Sequence, residues 1–324
     1  MSLLNSGWSN KMQIIDVKRV TQGSKHHAFT DLCDFNGILY CSFRVADNHV
    51  SDDGQINVVT LSESAEVLYT QRIIMPDTDL RDPKLSVTPT GELLLLAYAR
   101  RTSKTKLHGE LGNQYPVIWL SQDGLSWSSP KNIGEKHWWL WRLRWHDGKA
   151  YGIAYNRSKN AVHLYSGDPK RSFHRHRSQI FSLQKHNKGY PNESDMCFAE
   201  NGTAHVILRR DSDTYSAQLG SSKPPYSNWQ WRDLGFYLGG PNMLRLNNDS
   251  ALLAGRVIYK TKLVTAILNI DLKSAKVSLL TILPSAGDNS YPAMVKRGNR
   301  LFISYYSSHQ DQQAHIYLAE LTLP

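Results

Sequence analysis

Cysteine is scarce in this chain: three residues in 324, Cys33, Cys41 and Cys197, an odd number without metal-ligand spacing. That excludes a disulfide-stapled scaffold and a cysteine zinc module. All three alternate with apolar residues in strand-like runs, so they read as buried free thiols suited to a reducing compartment. No stretch approaches about 18 consecutive apolar residues, and the opening MSLLNSGWSNKM lacks a basic head followed by an apolar run. Neither a membrane span nor a secretory leader is expected, which makes the cytoplasm the expected location. There is no Pro/Ser-rich linker, low-complexity tract or heptad run, so a single domain over residues 1–324 is expected. Acidic residues are outnumbered, 28 against 38 basic, for a net charge of +10. The basic residues are scattered and match no nucleic-acid motif, so that partner is not expected. HxxxH and CxxC pairs are also missing, and nothing in the sequence calls for a metal or a cofactor.

What the chain does have is a repeat. An apolar strand, a turn and a second apolar strand recur six times: Asp31–Arg44, Lys84–Tyr98, Arg142–Tyr155, Asp195–Arg209, Met243–Arg256 and Met294–Tyr305. A period of roughly 50 residues built from strands and tight turns predicts an all-β, six-bladed β-propeller, because no blade buries both faces without neighbours. The last unit has one strand too few, HIYLAELTL after its hairpin, and the N-terminal segment at about 12–20 is free to complete it and close the ring.

Seven places after the turn residue of each hairpin stand Arg44, Tyr98, Tyr155, Arg209, Arg256 and Tyr305. If the six units are equivalent, these side chains ring one channel mouth. Three arginines around one axis repel one another, which points to an anionic ligand. Two polar stretches, SKTKLHGELGNQ in the second unit and Gln184–Asn192 before the fourth, are loops of the kind that carry substrate contacts. HWWLWRLRW at His137–Trp145 adds aromatics; Trp138, Trp139 and Trp141 cannot all face one side of a strand, and Trp138 with His137 is a candidate for contact with a sugar ring.

SQDGLSW, Ser121–Trp127, resembles the Asp-box turn of sialidases and related propellers, and Tyr165–Phe173 looks like a worn second copy. Three further segments resemble sialidase site regions: Asn192–Asp211 the one where a Glu opens the first strand of the fourth blade and an Arg ends the second, Asp288–Tyr306 the one carrying a tyrosine nucleophile, and Phe43–Gly54 the one where an Arg precedes the acid/base Asp. The resemblance to the sialidase superfamily spans the whole chain. It implies Tyr291 as nucleophile, Glu193 as its base, Asp52 or Asp53 as acid/base, and Arg209 and Arg256, with Arg44, as carboxylate ligands; Arg81, which the family pattern does not require, is a further candidate ligand. A neutral phenol attacks an anomeric carbon beside a carboxylate more readily than an anionic Asp or Glu does. The chain departs from the family at the head of the first inner strand, which reads HHAFTDL, with His26 and His27 and no Arg. Asp82, in LRDPKLS, is a rival carboxylate. These readings point to an exo-glycoside hydrolase acting on a terminal acidic sugar of a glycan or oligosaccharide. A uronate lyase and a non-catalytic glycan-binding propeller are the alternatives.

Overall fold

The computed structural model describes residues 12–102 and 113–323. Most of the polar stretch SKTKLHGELGNQ therefore lies outside the described residues. The chain forms six four-stranded antiparallel sheets arranged as the blades of a propeller. Blade 1 holds β2 (His26–Phe35), β3 (Ile38–Ala46), β4 (Gln55–Leu61) and β5 (Val67–Ile73), and blade 2 holds β6 (Thr78–Val87), β7 (Leu93–Arg101), β8 (Gln114–Ser121) and β9 (Lys131–Asn132). Blade 3 is β10 (Trp139–His146), β11 (Lys149–Asn156), β12 (Ala161–Asp168) and β13 (Ser172–Ser182). Blade 4 is β14 (Pro191–Phe198), β15 (Ala204–Arg210), β16 (Gln218–Ser222) and β17 (Gln230–Asp233). Blade 5 is β18 (Gly239–Arg245), β19 (Ser250–Tyr259), β20 (Lys262–Asp271) and β21 (Val277–Ile282). Blade 6 is β22 (Asn289–Arg297), β23 (Arg300–Ser307), β24 (His315–Thr322) and, as its outermost strand, β1 (Ile14–Arg19). The N-terminal strand thus closes the ring, pairing Arg19 with Tyr317 and Val17 with Ala319.

Period-two alternation builds the core. Leu253 and Leu268 pack toward blade 4 while their neighbours Leu252 and Ile267 pack toward blade 6. Val58 likewise faces blade 2 and Val59 faces blade 6. Each second strand is apolar on both faces because each is sandwiched between blades.

Down the axis the innermost strands are joined by buried polar bonds. Asp31 of β2 accepts the Leu85 N–H of β6 at 2.6 Å and pairs with Arg142 of β10 at 2.6 Å. Asp195 of β14 receives Arg144 of β10 through both oxygens, at 2.8 and 2.5 Å, and the Met243 N–H and Asn242 amide of β18. The Met294 N–H of β22 donates to Asn242, and Thr30 of β2 donates to the Tyr291 carbonyl. This polar plug links all six blades and forms the floor beneath the site.

Candidate active site

Every innermost strand carries a β-bulge near its head. Between Ala28 and Asp31, two residues of β2 face one of β3, and the same two-for-one slip falls at Asp82–Pro83, Trp141–Arg142, Asn192–Glu193, Gly240–Pro241 and Tyr291–Pro292. A bulge leaves one residue unpaired and re-aims its side chain. At Phe29, Asp82, Gly240 and Tyr291 the backbone is left-handed, with φ of 60°, 49°, 56° and 50°. For the three non-glycine residues this costs about 1–3 kcal/mol each, a strain that persists only where the surrounding blades enforce it.

The bulges bring Tyr291 and Glu193 together from blades 6 and 4. The Tyr291 hydroxyl donates to Glu193 Oε1 at 2.6 Å. Arg209 Nη1 donates to Glu193 Oε2 at 2.6 Å and to the Tyr291 oxygen at 3.1 Å, while its Nε is held by Asp211 at 2.9 Å. Gly240 completes the carboxylate's shell with an N–H bond of 2.8 Å to Oε2. A side chain at position 240 would sit 3.0 Å from the Tyr291 ring, so glycine satisfies both the left-handed φ and the close approach. Phe29 packs edge-on to Tyr291 at 5.1 Å, and Trp141 lies 5.7 Å away on another side. Burial, then the charge of Glu193, pushes the Tyr291 phenol well above its ordinary pKa, with Arg209 acting in the opposite sense. The phenol therefore holds its proton at rest, already directed at the carboxylate that would receive it.

Asp82 enters the same channel from blade 2. It is buried and makes no side-chain hydrogen bond among the described residues. Burial raises its carboxyl to about 6, Glu193 adding to the rise and Lys84 opposing it. Lys84 is pushed down to about 8 by its own burial, with its Nζ 4.9 Å from the Trp141 ring centre. Beside this group opens a cavity of about 620 Å³ lined by Tyr98, His137, Trp139, Tyr155, Asn156 and Tyr190, among others. Trp139 forms its aromatic floor, stacked at 4.1 Å on Tyr98 and lying nearly parallel to Tyr155 at 5.7 Å.

The six residues counted from the turns are not equivalent. Arg44, Tyr98 and Arg256 stand opposite the residue just before the bulge, whereas Tyr155 lies one step above and Arg209 and Tyr305 one step below. For Tyr155 the bulge lies one residue nearer the turn than in blade 1; for Arg209 and Tyr305 the cause is the turn. Gly37 is the second residue of its two-residue loop and Gly298 the first, so the counterpart of Arg44 in blade 6 is Tyr306. Tyr305 faces the interior between blades 5 and 6, its hydroxyl donating to the Pro284 carbonyl, and it is absent from the site.

Nor do the arginines wait on a ligand for charge balance, because the protein supplies the carboxylates. Arg44 is fully buried against Asp79 at 3.0 Å, and Arg81 meets the same carboxylate at 2.5 Å. Both also hold carbonyls of the loop after β3: Arg44 those of Asn48 and Ser51, and Arg81 those of Val50 and Ser51. They are straps for that loop. Arg209 and Arg256 do reach the site, Arg256 bonding the Asn289 carbonyl at 2.8 Å and Tyr306 at 3.2 Å. Arg209 Nη2 and Arg256 Nη1 have no acceptor among the described residues.

Asp52 is exposed and makes no side-chain hydrogen bond among the described residues, and Asp53 turns back to accept the Asp47 N–H at 3.1 Å. Neither contacts the Tyr291–Glu193 pair. The residue this loop presents to the site is His49, bonded to Asp288 at 2.8 Å. Trp138 stacks on His163 at 3.7 Å, away from the cavity, because strand alternation gives Trp139 the opposite face. His137 does line the cavity, but His27 packs against Phe43 and His315, where burial lowers its pKa to about 4.

Sequence reasoning missed Asp79, His49, Asp288, Trp139, Tyr306 and Gly240. One signal was present: proline follows the bulged residue in Asp82–Pro83, Gly240–Pro241 and Tyr291–Pro292. A proline inside an innermost strand marks a bulge, since it cannot donate to the ladder.

No protein-family model matches the chain, and no curated protein matches its sequence. Solved structures do match. A protein of unknown function from Dyadobacter fermentans superposes with a TM-score of 0.77 at 17% identity, over 97% of this chain and 100% of its own. The NanB sialidase of Streptococcus pneumoniae gives 0.68 at 11% identity, over 97% of this chain and 71% of the sialidase. The α-L-arabinanase of Penicillium chrysogenum, solved with arabinobiose, gives 0.69 at 12% identity over 96% and 98%. At such identities the likeness is one of architecture: the six-bladed β-propeller of this chain superposes on the folds of these solved structures, a sialidase and an arabinanase among them.

Proposed function

We propose that the protein is a glycoside hydrolase that removes a terminal acidic sugar from a glycan, with Tyr291 as nucleophile and Glu193 as the base that takes its proton. The observation that carries this reading is the 2.6 Å bond from the Tyr291 hydroxyl to Glu193 Oε1, with Arg209 within 3.1 Å of the phenolic oxygen. As the phenol attacks, its proton passes to Glu193, and the charge developing on oxygen meets a guanidinium already in place. Phe29 and Trp141 pack against the Tyr291 ring and help to fix its position.

The acid is assigned to Asp82 in preference to Asp52 or Asp53. A carboxyl raised to about 6 retains its proton through mildly acidic pH and can deliver it to a leaving oxygen. The free donors of Arg209 and Arg256 on one side of Tyr291 suit a substrate carboxylate. The aromatic cavity over Trp139 suits the sugar rings beyond the scissile bond.

The test is a screen of purified protein against fluorogenic sialosides and uronides, and against uronate oligosaccharides followed by ultraviolet absorbance. Release of an acidic sugar, lost in Tyr291→Phe and in Glu193→Gln, is the expected result. An unsaturated uronate product would convert the assignment to a lyase. Binding without turnover on the whole panel would leave a glycan-binding propeller.

A further inference from the structure

At the head of the first inner strand, where the resembling family carries an arginine, this chain has His26. Its Nε2 lies 2.9 Å from Asp288 Oδ2. His49 Nδ1 approaches the same oxygen from the facing loop at 2.8 Å, and the three donor atoms lie within 4.8 Å of one another. We propose that His26, His49 and Asp288 form a binding site for a divalent transition-metal ion, and that this ion supplies the positive charge at the wall of the channel where the arginine is missing.

The surroundings suit the assignment. His26 is buried, and among the described residues its Nδ1 has no partner and its side chain's polar commitment runs through Nε2 into the cluster. The backbone around His49 is fixed by the Asp79-anchored straps, with Arg44 on the Asn48 carbonyl and Arg81 on that of Val50, so the segment that carries the ring is positioned before any ligand arrives. Phe29 packs edge-on against His49 at 4.9 Å. Behind the carboxylate, Tyr306 donates to Asp288 Oδ1 at 2.8 Å, the outer-shell bond that orients a ligating carboxylate. Two imidazoles and one carboxylate are a donor set for zinc, cobalt or nickel, whereas magnesium and calcium prefer all-oxygen shells.

Two neutral rings and one carboxylate leave a divalent ion with a net charge of about +1. Arg256, 3.8 Å from Asp288 Oδ1, adds to that field. An acidic ligand in the open coordination position offsets both, so metal and acidic sugar are expected to bind cooperatively. The identity of that ligand rests on the proposed function; the metal site does not.

The experiment titrates chelator-treated protein with Co²⁺, reading visible ligand-field absorption, and then competes with Zn²⁺ and with Mg²⁺. One Co²⁺ per chain, displaced by Zn²⁺ and not by Mg²⁺, is expected. His49→Ala, at a half-exposed position, should leave thermal unfolding of the metal-free protein unchanged and weaken Co²⁺ binding beyond the roughly 10–100-fold that loss of an outer-shell partner costs. His26→Asn should do the same. Addition of glucuronate or sialate should perturb the absorption and tighten the ion. Failure of wild-type protein to bind Co²⁺ or Zn²⁺, or equal binding by His49→Ala, overturns the site whether or not the protein hydrolyses any glycoside. Metal binding without any perturbation by an acidic sugar overturns the proposed role of the ion while leaving Tyr291 chemistry to its own test.

Discussion

Asp195 and Asp82 are both carboxylates of innermost strands and both nearly inaccessible, yet their surroundings push them in opposite directions. Burial works against the charge of each. At Asp195 the neighbouring Arg144 and Arg142 outweigh it and hold the carboxyl below its usual range. At Asp82 burial prevails and lifts the carboxyl to about 6, with no hydrogen bond among the described residues to relieve it. The same contrast separates the two levels of the channel. In the polar plug, carboxylates and arginines bond across blades and lock the ring. At the bulges just above, Asp82 and Tyr291 are held in left-handed backbone, and Asp82 makes no side-chain hydrogen bond among the described residues. Polar groups in the plug stabilise the fold, whereas Asp82 and Tyr291 are kept in states that cost stability and have chemical use.

The largest expected effect removes a partner from the plug. Asp195→Ala strands Arg144 without its carboxylate, while Arg142 keeps Asp31, and should destabilise the protein by about 3–5 kcal/mol in chemical denaturation. Tyr291→Phe draws the opposite profile. It should lower turnover by roughly 10³-fold, of the order associated with losing a positioned catalytic group, while changing unfolding little. If Tyr291→Phe also destabilised by several kcal/mol, the two levels would not differ in kind.

Asp82→Asn tests the upper level by pH. A carboxyl raised from 3.8 to about 6 binds more protons folded than unfolded, so stability falls as pH climbs between those values. The penalty is fully present above about pH 6 and absent below about pH 4. Asp82→Asn should therefore stabilise by up to roughly 3 kcal/mol at pH 8, with the gain vanishing near pH 4. An equal gain at both pH values would mean that the carboxyl's charge is not the source. The same substitution should abolish hydrolysis of substrates with poor leaving groups.

Gly240→Ala is a smaller perturbation at the join between Glu193 and Tyr291. Its left-handed φ costs about 1 kcal/mol in stability, and the 3.0 Å approach to the ring should lower activity more than stability. Smallest is Tyr305→Phe, which loses one hydrogen bond to Pro284, worth about 1 kcal/mol, and leaves activity intact.

The blade count, the hairpins and the closure by residues 12–20 were legible because alternation and turn residues are local properties of the sequence. The pair Tyr291 and Glu193 was legible only through resemblance to a family, since 98 positions separate them. Counting from the turn failed for Tyr305 because glycine is the first residue of that two-residue loop and the second in blade 1, so the same count ends one residue short, on the opposite face of the strand. Charge balance failed for Arg44 because its partner, Asp79, lies in the next blade. The bulges decide which residues enter the channel, and only the prolines after Asp82, Gly240 and Tyr291 announce them.

The measurement that bears most directly on the central claim is peptide mass spectrometry of protein incubated with fluorinated glycosyl fluorides of sialic and uronic acids, reagents that form the glycosyl-enzyme quickly and release it slowly. The predicted result is a covalent adduct on the peptide containing Tyr291, absent from Tyr291→Phe. An adduct on Glu193 or Asp82, or turnover of a glycoside with undiminished rate by Tyr291→Phe, would contradict the account.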